Sequence, residues 1–407
     1  MSRVLLTWIG GVATVAACSA GGSHAEFVAG RADAETGDGA EAVAEAPLTN
    51  KDAGAKPKDG GAKPTDASAK PPPLNNAANC GAAGHDCGGA ACVSGVCEPE
   101  KLATVKRPHA LAVAGASLVF VDSAPGNQAP LYKMSKAPSA AVPTVVPGPS
   151  VRNFDLLELK VGGGFVYILP RKSGAGPLLR RPLSGTDAGV DERVGGELDT
   201  VDSFDVDATH VTYKLSEYPR ATFLQAHAGA SPVEFPTLAS DPMRRSFVEV
   251  SLTGSSVFGL YEGDVYEVKK GGGGATLRAP ILASNGYESA FAATPNAFYG
   301  VRFQRSNPVT CGTTTFDVWR QAMLGTGGGL IHSGAGWVPS LRADAQGALY
   351  PLQPCGGGPT KLMAYRETDG ASYVVAEFDG ATDVFAADDA YVYFTRVDDS
   401  ALYRVAR

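Results

Sequence analysis

A pattern of strands and turns occurs seven times between residue 101 and the last residue, and it constrains the fold more than any other feature. In each copy an apolar strand leads into a turn of small or acidic residues, and an aromatic residue or glycine comes six residues after the turn begins. These positions are Phe120, Tyr167, Tyr213, Gly259, Gly300, Tyr350 and Phe394, separated by 47, 46, 46, 41, 50 and 44 residues. Self-similarity at such a period indicates a repeat architecture.

Each copy is followed by a third strand, such as LYKMSK in the first and ALYRVAR in the last, and six copies have a fourth short apolar segment. Four short, turn-separated strands in every repeat are typical of a β-propeller blade. The sequence therefore predicts an all-β fold over 101–407, a seven-bladed β-propeller. Six blades are the alternative if the copy at Gly259 or Gly300 is misread. A β-sandwich would explain the short strands but not seven matched copies.

The seventh copy has three strands and lacks a fourth. The open edge of a strand is a template on which another strand can pair. Residues 101–107, with the sequence KLATVKR, precede the first copy, have strand-like alternation and belong to no copy. We predict that this N-terminal segment pairs with the C-terminal ALYRV strand, completes the last blade and closes the ring.

The seventh copy contains DDAYVYF, from Asp388 to Phe394, followed by LYRV, and the third copy contains VDATHVTY. This pattern resembles extracytoplasmic bacterial propellers of the TolB-like and YWTD-like kind. The resemblance covers nearly all of 101–407, implies the fold and transfers no catalytic residue. WD dipeptides and the Asp-box and Kelch signatures are missing.

The N-terminus has the features of an export signal. Arg3 precedes an apolar segment that is too short to span a membrane. The residues before and including Cys18, VAAC, resemble a bacterial lipobox, which implies that 1–17 is a signal peptide and that Cys18 is lipidated. Ser19 after the cysteine then implies sorting to the outer membrane. An ordinary signal peptide with an incidental cysteine is the alternative.

Residues 18–79 begin with this cysteine and are rich in Ala, Gly, Lys, Pro and Asp. Such a segment buries too little apolar surface to offset the entropy of ordering it. The sequence therefore predicts a disordered tether that joins the lipid anchor to the folded part of the chain.

Four cysteines lie within residues 80–98, at Cys80, Cys87, Cys92 and Cys97. Exported proteins meet an oxidising compartment, so we interpret this segment as a small module held by two disulfides. Of the three possible pairings, we favour the interlocked one, Cys80–Cys92 with Cys87–Cys97. A zinc site with His85 as an additional ligand is the alternative, although no CxxC pair is present. The module resembles short Gly/Cys motifs of secreted bacterial proteins of myxobacterial type.

Two kinds of loop, from second to third strands and from fourth to next-first strands, lie on one face of a propeller, and binding residues are common on such loops. Cys311 and Cys355 occupy equivalent loops of the fifth and sixth copies, so we expect a disulfide between them, with free thiols as the alternative. The candidate binding face contains Arg152, Asn153, Asp202, Arg244, Arg245, Tyr287, Arg302, Arg305 and Trp337. Arginines and aromatic rings on one rim could bind a sugar ring, a carboxylate or a protein side chain. Each of these residues alone also fits an ordinary solvated or packing role.

A net charge of −7 and the absence of a basic block argue against nucleic acid as a partner. The sequence contains no GxSxG, HExxH or Walker motif, and its six histidines are dispersed. We therefore predict no catalytic residue, no metal and no cofactor. The sequence favours an exported monomer, attached to the membrane by its lipid alone, whose propeller binds a protein or glycan. A polysaccharide lyase or hydrolase and an envelope-assembly scaffold are the alternatives.

Overall fold

The computed structural model describes residues 75–106, 108–122, 128–138, 142–152, 156–171, 175–184, 189–196, 199–216, 221–235, 247, 249–261, 264–280, 287–304, 315–324, 327–355, 358–379, 384–396 and 400–407. The predicted signal peptide, Cys18 and the tether up to residue 74 lie outside these residues. Within them, no helix is long and apolar enough to cross a membrane.

The first described segment is the cysteine module. Its strands form two small hairpins, β1 (Asn75–Asn76) with β2 (Asn79–Cys80) and β3 (Cys92–Val93) with β4 (Val96–Cys97). Disulfides join Cys80 to Cys92 and Cys87 to Cys97, which are the two pairings that the sequence favours. All four thiols are therefore oxidised, and the alternative of a zinc site loses its sulfur ligands.

Seven four-stranded antiparallel sheets follow, numbered blades 1 to 7 in chain order. Blade 1 contains β6 (Pro108–Ala114), β7 (Ser117–Asp122), β9 (Leu131–Ser135) and β10 (Thr144–Val145). Blade 2 contains β12 (Leu156–Gly162), β13 (Phe165–Arg171), β14 (Leu179–Pro182) and β15 (Glu192–Arg193). Blade 3 contains β16 (Val201–Val206), β17 (His210–Leu215), β18 (Thr222–Ala226) and β19 (Val233–Glu234). Between blades 1 and 2, β8 (Gln128–Ala129) pairs with β11 (Val151–Arg152).

Blade 4 contains β20 (Glu249–Thr253), β21 (Ser256–Tyr261), β22 (Asp264–Lys269) and β23 (Thr276–Pro280). Blade 5 contains β24 (Tyr287–Ala293), β25 (Ala297–Gln304), β26 (Thr315–Ala322) and β27 (Gly328–Ala335). Blade 6 contains β28 (Arg342–Asp344), β29 (Gly347–Leu352), β30 (Thr360–Arg366) and β31 (Ser372–Phe378). Blade 7 contains β32 (Phe385–Ala387), β33 (Tyr391–Arg396), β34 (Ala401–Ala406) and β5 (Glu100–Thr104). From blade 7 through blade 1 to blade 6, the first strands of neighbouring blades contact one another around the centre of the ring. The all-β, seven-bladed propeller is confirmed, and the six-bladed alternative is wrong.

The ring is closed by the N-terminal strand, as the sequence predicts. Strand β5 pairs antiparallel with β34, with Thr104 opposite Ala401 and Glu100 opposite Arg404. The pairing begins one residue earlier than predicted and stops at Thr104. One more backbone hydrogen bond follows, from the N–H of Val105 to the carbonyl of Ser400 (2.8 Å), and the N–H of Lys106 then donates to the Asp122 carboxylate (3.0 Å), where the chain enters blade 1.

The repeated aromatic position lies in the middle of each second strand. Its side chain is at most 1 % exposed in the five blades where it is Phe or Tyr. In blades 4 and 5 the position is glycine because another ring occupies the space. A Cβ on Gly259 would lie 2.0 Å from the ring of Phe247, and one on Gly300 would lie 2.1 Å from the ring of Trp319.

A second repeated position is the residue that follows the third strand of each blade, which we call the docking position. In all seven blades its backbone N–H donates to the carbonyl of the residue before the second strand, at 2.8–3.1 Å. Its side chain packs against the preceding blade or the core shared with it. These seven residues are Lys136, Leu183, His227, Lys270, Met323, Glu367 and Arg407. The backbone thus repeats from blade to blade while the side chain at this position varies.

Candidate functional site

The two kinds of loop that the sequence places on one face are hydrogen-bonded to each other. Between blades 1 and 2, Arg152 of a fourth-to-first connection lies opposite Gln128 of a second-to-third connection. In the same way, Trp337 forms a bridge with Gln353 next to blade 6, and Gly176 with Val201 next to blade 3. We call this side of the ring the loop face.

The most exposed aromatic side chain of the described residues lies on the loop face. The indole of Trp337 is 37 % exposed and stacks on the buried ring of Phe303, with the ring centroids 4.2 Å apart and the planes at 13°. Its backbone N–H donates to the carbonyl of Gln353 (2.9 Å), and the N–H of Gln353 donates back (2.8 Å). We call this arrangement of Trp337, Phe303 and Gln353 the Trp337 platform.

The sequence around the platform explains its position. Gly336 has a φ of +142°, and a Cβ there would lie 2.7 Å from the carbonyl oxygen of Gln353, so only glycine allows this close backbone approach. Cys355, two residues after Gln353, is disulfide-bonded. Cys311 lies outside the described residues, and the Cys311–Cys355 pairing stays a prediction.

Other residues of the predicted binding face lie in different surroundings. The carboxylate of Asp202 pairs with Lys214 of the next strand (2.8 Å), and Arg302 pairs with Asp317 (2.8 Å). Tyr287 is opposite Phe303 in the ladder of blade 5, which places its backbone beside the platform. Asn153, Arg244, Arg245 and Arg305 lie outside the described residues. Of the predicted face, Trp337 and the backbone of Tyr287 lie beside Phe303, whereas the Arg302 side chain, adjacent to Phe303 in β25, lies on the other face of the blade.

A group of charged side chains that the sequence analysis does not single out lies along the inner strands. We call it the channel cluster, and it consists of the charged residues Glu158, Lys160, Arg171, Asp205, Glu249 and Arg342 together with the hydroxyl groups of Ser203 and Ser251 that bond to them. In β12, Glu158 and Lys160 alternate with Leu157 and Leu159, which are buried between blades 1 and 2. The sequence signal for this cluster is the alternation of charged and apolar residues along the first strand of a copy.

Hydrogen bonds of the channel cluster join blades 2 to 5. Lys160 Nζ donates to the carbonyl of Phe204 (2.6 Å) and the carboxylate of Asp205 (3.1 Å). The other carboxylate oxygen of Asp205 accepts from the N–H of Leu252 (2.7 Å), and Ser251 Oγ accepts from the N–H of Ala293 (3.0 Å). Side chains of one blade thus accept hydrogen bonds from backbone N–H groups on the inner edge of the next blade, where no further strand of that blade is present to accept them.

The charges of the channel cluster largely balance. Burial raises the pKa of Glu158, but Lys160 and Arg171 outweigh it and lower the pKa overall. Burial also raises the pKa of Glu249, and the charge of Arg171 and the hydrogen bond from Ser203 (2.8 Å) only partly offset this effect. Burial lowers the pKa of Arg342 on blade 6, whereas Glu158 and Asp205 across the channel raise it. The cluster thus holds the inner strands together by self-neutralising contacts.

Comparison with known proteins finds no matching family model and no matching curated protein. Among solved structures, the β-propeller domain of Cps50 (Swd1) from Myceliophteria thermophila matches with a TM-score of 0.52 and 9 % identity, over 76 % of this chain and 100 % of that one. The N-terminal domain of Nup159 matches with a TM-score of 0.49 and 11 % identity, over 76 % and 93 % of the two chains. A chain of the mitotic checkpoint complex matches with a TM-score of 0.48 and 9 % identity, over 76 % of this chain and 93 % of that one. The first match supports the propeller fold and carries no function with it.

Proposed function

We propose that this protein is an exported, lipid-anchored lipoprotein whose propeller binds a protein or glycan partner on the loop face without catalysing a reaction. Cys18 would hold it in the outer membrane through its lipid, and the tether would separate the ring from the bilayer. The observation that carries the proposal is the Trp337 platform.

The platform is suited to binding because its exposed ring is already fixed in place. Stacking on Phe303 and the two backbone hydrogen bonds to Gln353 hold the indole, so little side-chain entropy is lost when a partner covers it. Tryptophan is enriched among residues that dominate binding energy, since it buries a large area on a rigid side chain. A sugar ring or an apolar partner side chain can stack on such a surface.

The channel cluster supports a binding role over an enzymatic one. Its carboxylates are paired with Lys160, Arg171 or a serine hydroxyl. A catalytic pair would need an acid and a base that both face a substrate. The charged groups of this cluster instead connect neighbouring inner strands, which is a structural role.

The binding proposal is tested by titrating the soluble ring and module with a panel of oligosaccharides and extended peptides, following thermal unfolding. A ligand at a hundred times its dissociation constant adds about 2.7 kcal/mol to the stability of the folded state. Any ligand that raises the melting temperature is then tested on Trp337→Ala. We expect this variant to lose most of the shift when the shift is measured from its own ligand-free melting temperature, which itself falls because much of the indole is packed on Phe303.

The matched control is Leu330→Ala, which removes another exposed apolar side chain, 59 % exposed, from the outer strand of blade 5. This variant should keep the full ligand shift. Equal losses in both variants would contradict a specific role for Trp337. A ligand that is consumed during the titration would contradict the non-catalytic part of the proposal.

The anchor is tested separately, by fractionating cells that produce the wild type or Cys18→Ser. We expect the wild type in the membrane fraction and the variant in the soluble exported fraction, because loss of the thiol removes the site of lipid attachment. Recovery of both proteins in the same fraction would exclude lipid anchoring through Cys18 and would leave the binding test unaffected.

A further inference from the structure

The cysteine module is packed against the ring at the place where the ring closes. Cys80, Cys87 and Cys97 are at most 2 % exposed and share one hydrophobic core with residues of blades 6 and 7, including Tyr373 and Val405. Strand β4 of the module contacts β31, the outer strand of blade 6. The module therefore covers the edge of blade 6 and lies beside the third strand of blade 7.

A buried histidine forms the centre of this contact. His85 is 1 % exposed, and its ring lies 4.5 Å from that of Tyr373. Its Nδ1 atom lies 2.6 Å from the carbonyl oxygen of Cys80 in the module, and its Nε2 atom lies 3.4 Å from the carbonyl oxygen of Ala406 in β34. Arg366 of blade 6 adds a hydrogen bond to the carbonyl of Ala83 (2.6 Å).

The module is also continuous with the strand that closes the ring. Cys97 ends β4, and β5 begins at Glu100. Strand β5 is the outermost strand of blade 7, and β34 is the only described strand with which it pairs. A strand at a sheet edge that is held by one neighbour frays easily unless its ends are fixed. The docked module fixes the N-terminal end of β5 to blade 6.

We propose that the module is a disulfide-locked strap that keeps the ring closed, and that breaking the Cys80–Cys92 bridge releases β5 from blade 7 while blades 2 to 4 stay folded. The bridge is the accessible one of the two, since Cys92 is partly exposed while the other three cysteines are buried. A dithiol such as dithiothreitol supplies two electrons and two protons, giving two cysteine thiols and the cyclic disulfide of the reductant. The strap thus makes closure of the ring sensitive to reducing conditions.

The test is hydrogen–deuterium exchange of the full-length protein, read for peptides from β5 and β34 and for reference peptides from β13 and β17. In the double variant Cys80→Ser/Cys92→Ser we expect exchange in β5 and β34 to rise at least tenfold, with less than a twofold change in the reference peptides. Cys355→Ser is the matched control, because it removes a different disulfide and should leave β5 and β34 unchanged.

Two further measurements do not depend on folding of the double variant. His85→Ala keeps both disulfides and should raise exchange in the same two strands by a smaller factor. Treatment of the native wild type with dithiothreitol should expose Cys80 and Cys92 to alkylation first, with faster exchange in β5 appearing at the same time. An unchanged exchange rate in β5 after the His85→Ala substitution or after dithiothreitol treatment would overturn the proposal, as would an equal rise of exchange in every blade.

Discussion

The contact between blades 3 and 4 provides a quantitative test of how the ring is held together. Asp207, in the turn after the first strand of blade 3, accepts hydrogen bonds from the N–H groups of Thr209 (2.8 Å) and His210 (2.9 Å). Its other carboxylate oxygen pairs with Lys270, the docking residue of blade 4. We predict that Asp207→Ala weakens this contact in a pH-dependent way.

The magnitude follows from the pKa of the carboxyl group. Partial burial raises the pKa of Asp207, but the hydrogen bonds from Lys270, Thr209 and His210 outweigh it and bring the pKa from 3.8 to about 2. At about 1.4 kcal/mol per pH unit, the lowering from 3.8 to about 2 corresponds to about 2.5 kcal/mol, which solvent screening of the partly exposed carboxylate reduces to about 2 kcal/mol at neutral pH. A domain of about 300 residues then loses about 3 °C in melting temperature.

The sign of the pH dependence is fixed because the folded-state pKa lies below the unfolded one. The contribution of Asp207 is fully present above the unfolded pKa of 3.8 and is lost as pH falls through about 2. At pH 2.5 about a third of it remains. The difference in melting temperature between wild type and Asp207→Ala should shrink accordingly when unfolding is followed by circular dichroism at pH 7 and pH 2.5.

The control is Asp389→Ala, which removes an exposed carboxylate from the corresponding turn of blade 7. This variant should melt within about 1 °C of the wild type at both pH values, as expected for a surface substitution. A shift below 1 °C for Asp207→Ala at pH 7, or a shift of equal size at both pH values, would refute the reasoning.

Two further substitutions test the packing of the ring. Gly300→Ala should lower the stability by about 2–3 kcal/mol, because its Cβ would lie 2.1 Å from the ring of Trp319, whereas Gly271→Ala, which meets open space, should melt like the wild type. Lys160→Ala should lower the stability by about 2 kcal/mol at pH 7, because it leaves the carboxylates of Glu158 and Asp205 without this cation, and by less as the pH falls through the lowered pKa of Glu158 and that carboxylate takes up a proton. Equal thermal shifts for the two glycine variants, or a loss at Lys160 that does not change with pH, would contradict these expectations.

Much of the fold could be predicted from the sequence because blade geometry repeats local patterns. Aromatic residues such as Tyr167 and Tyr350 mark the buried centre of each second strand, and alternation in 101–107 located the strand that closes the ring. The glycines at 259 and 300 obscured the pattern without breaking it. The rings of Phe247 and Trp319, which replace the missing side chains, come from other positions in the chain, so sequence spacing alone could not connect them.

The candidate site was less predictable, because exposure depends on partners that the sequence does not identify. Asp202 and Arg302 were expected on an open rim, but each is paired with a charged residue of a neighbouring strand of its own blade. Trp337 is held in place by stacking on Phe303 and by backbone hydrogen bonds to Gln353, which lie 34 and 16 residues away in the chain. The module was expected to be stabilised by its disulfides alone, whereas its cysteines are also part of the core of blades 6 and 7.

The docking position shows why the sequence repeat is so weak in a chain whose backbone repeats so closely. The same backbone hydrogen bond occurs at all seven docking residues, yet their side chains use different chemistry. Lys270 forms an ion pair with Asp207, His227 hydrogen-bonds the hydroxyl of Tyr167 (2.6 Å), and Met323 packs against an apolar core. Any of these contacts stabilises the interface between two blades, provided that the preceding blade supplies the complementary group. Closure of the ring therefore depends on pairs of residues from neighbouring blades, and a comparison of single positions between copies detects only the aromatic and turn residues.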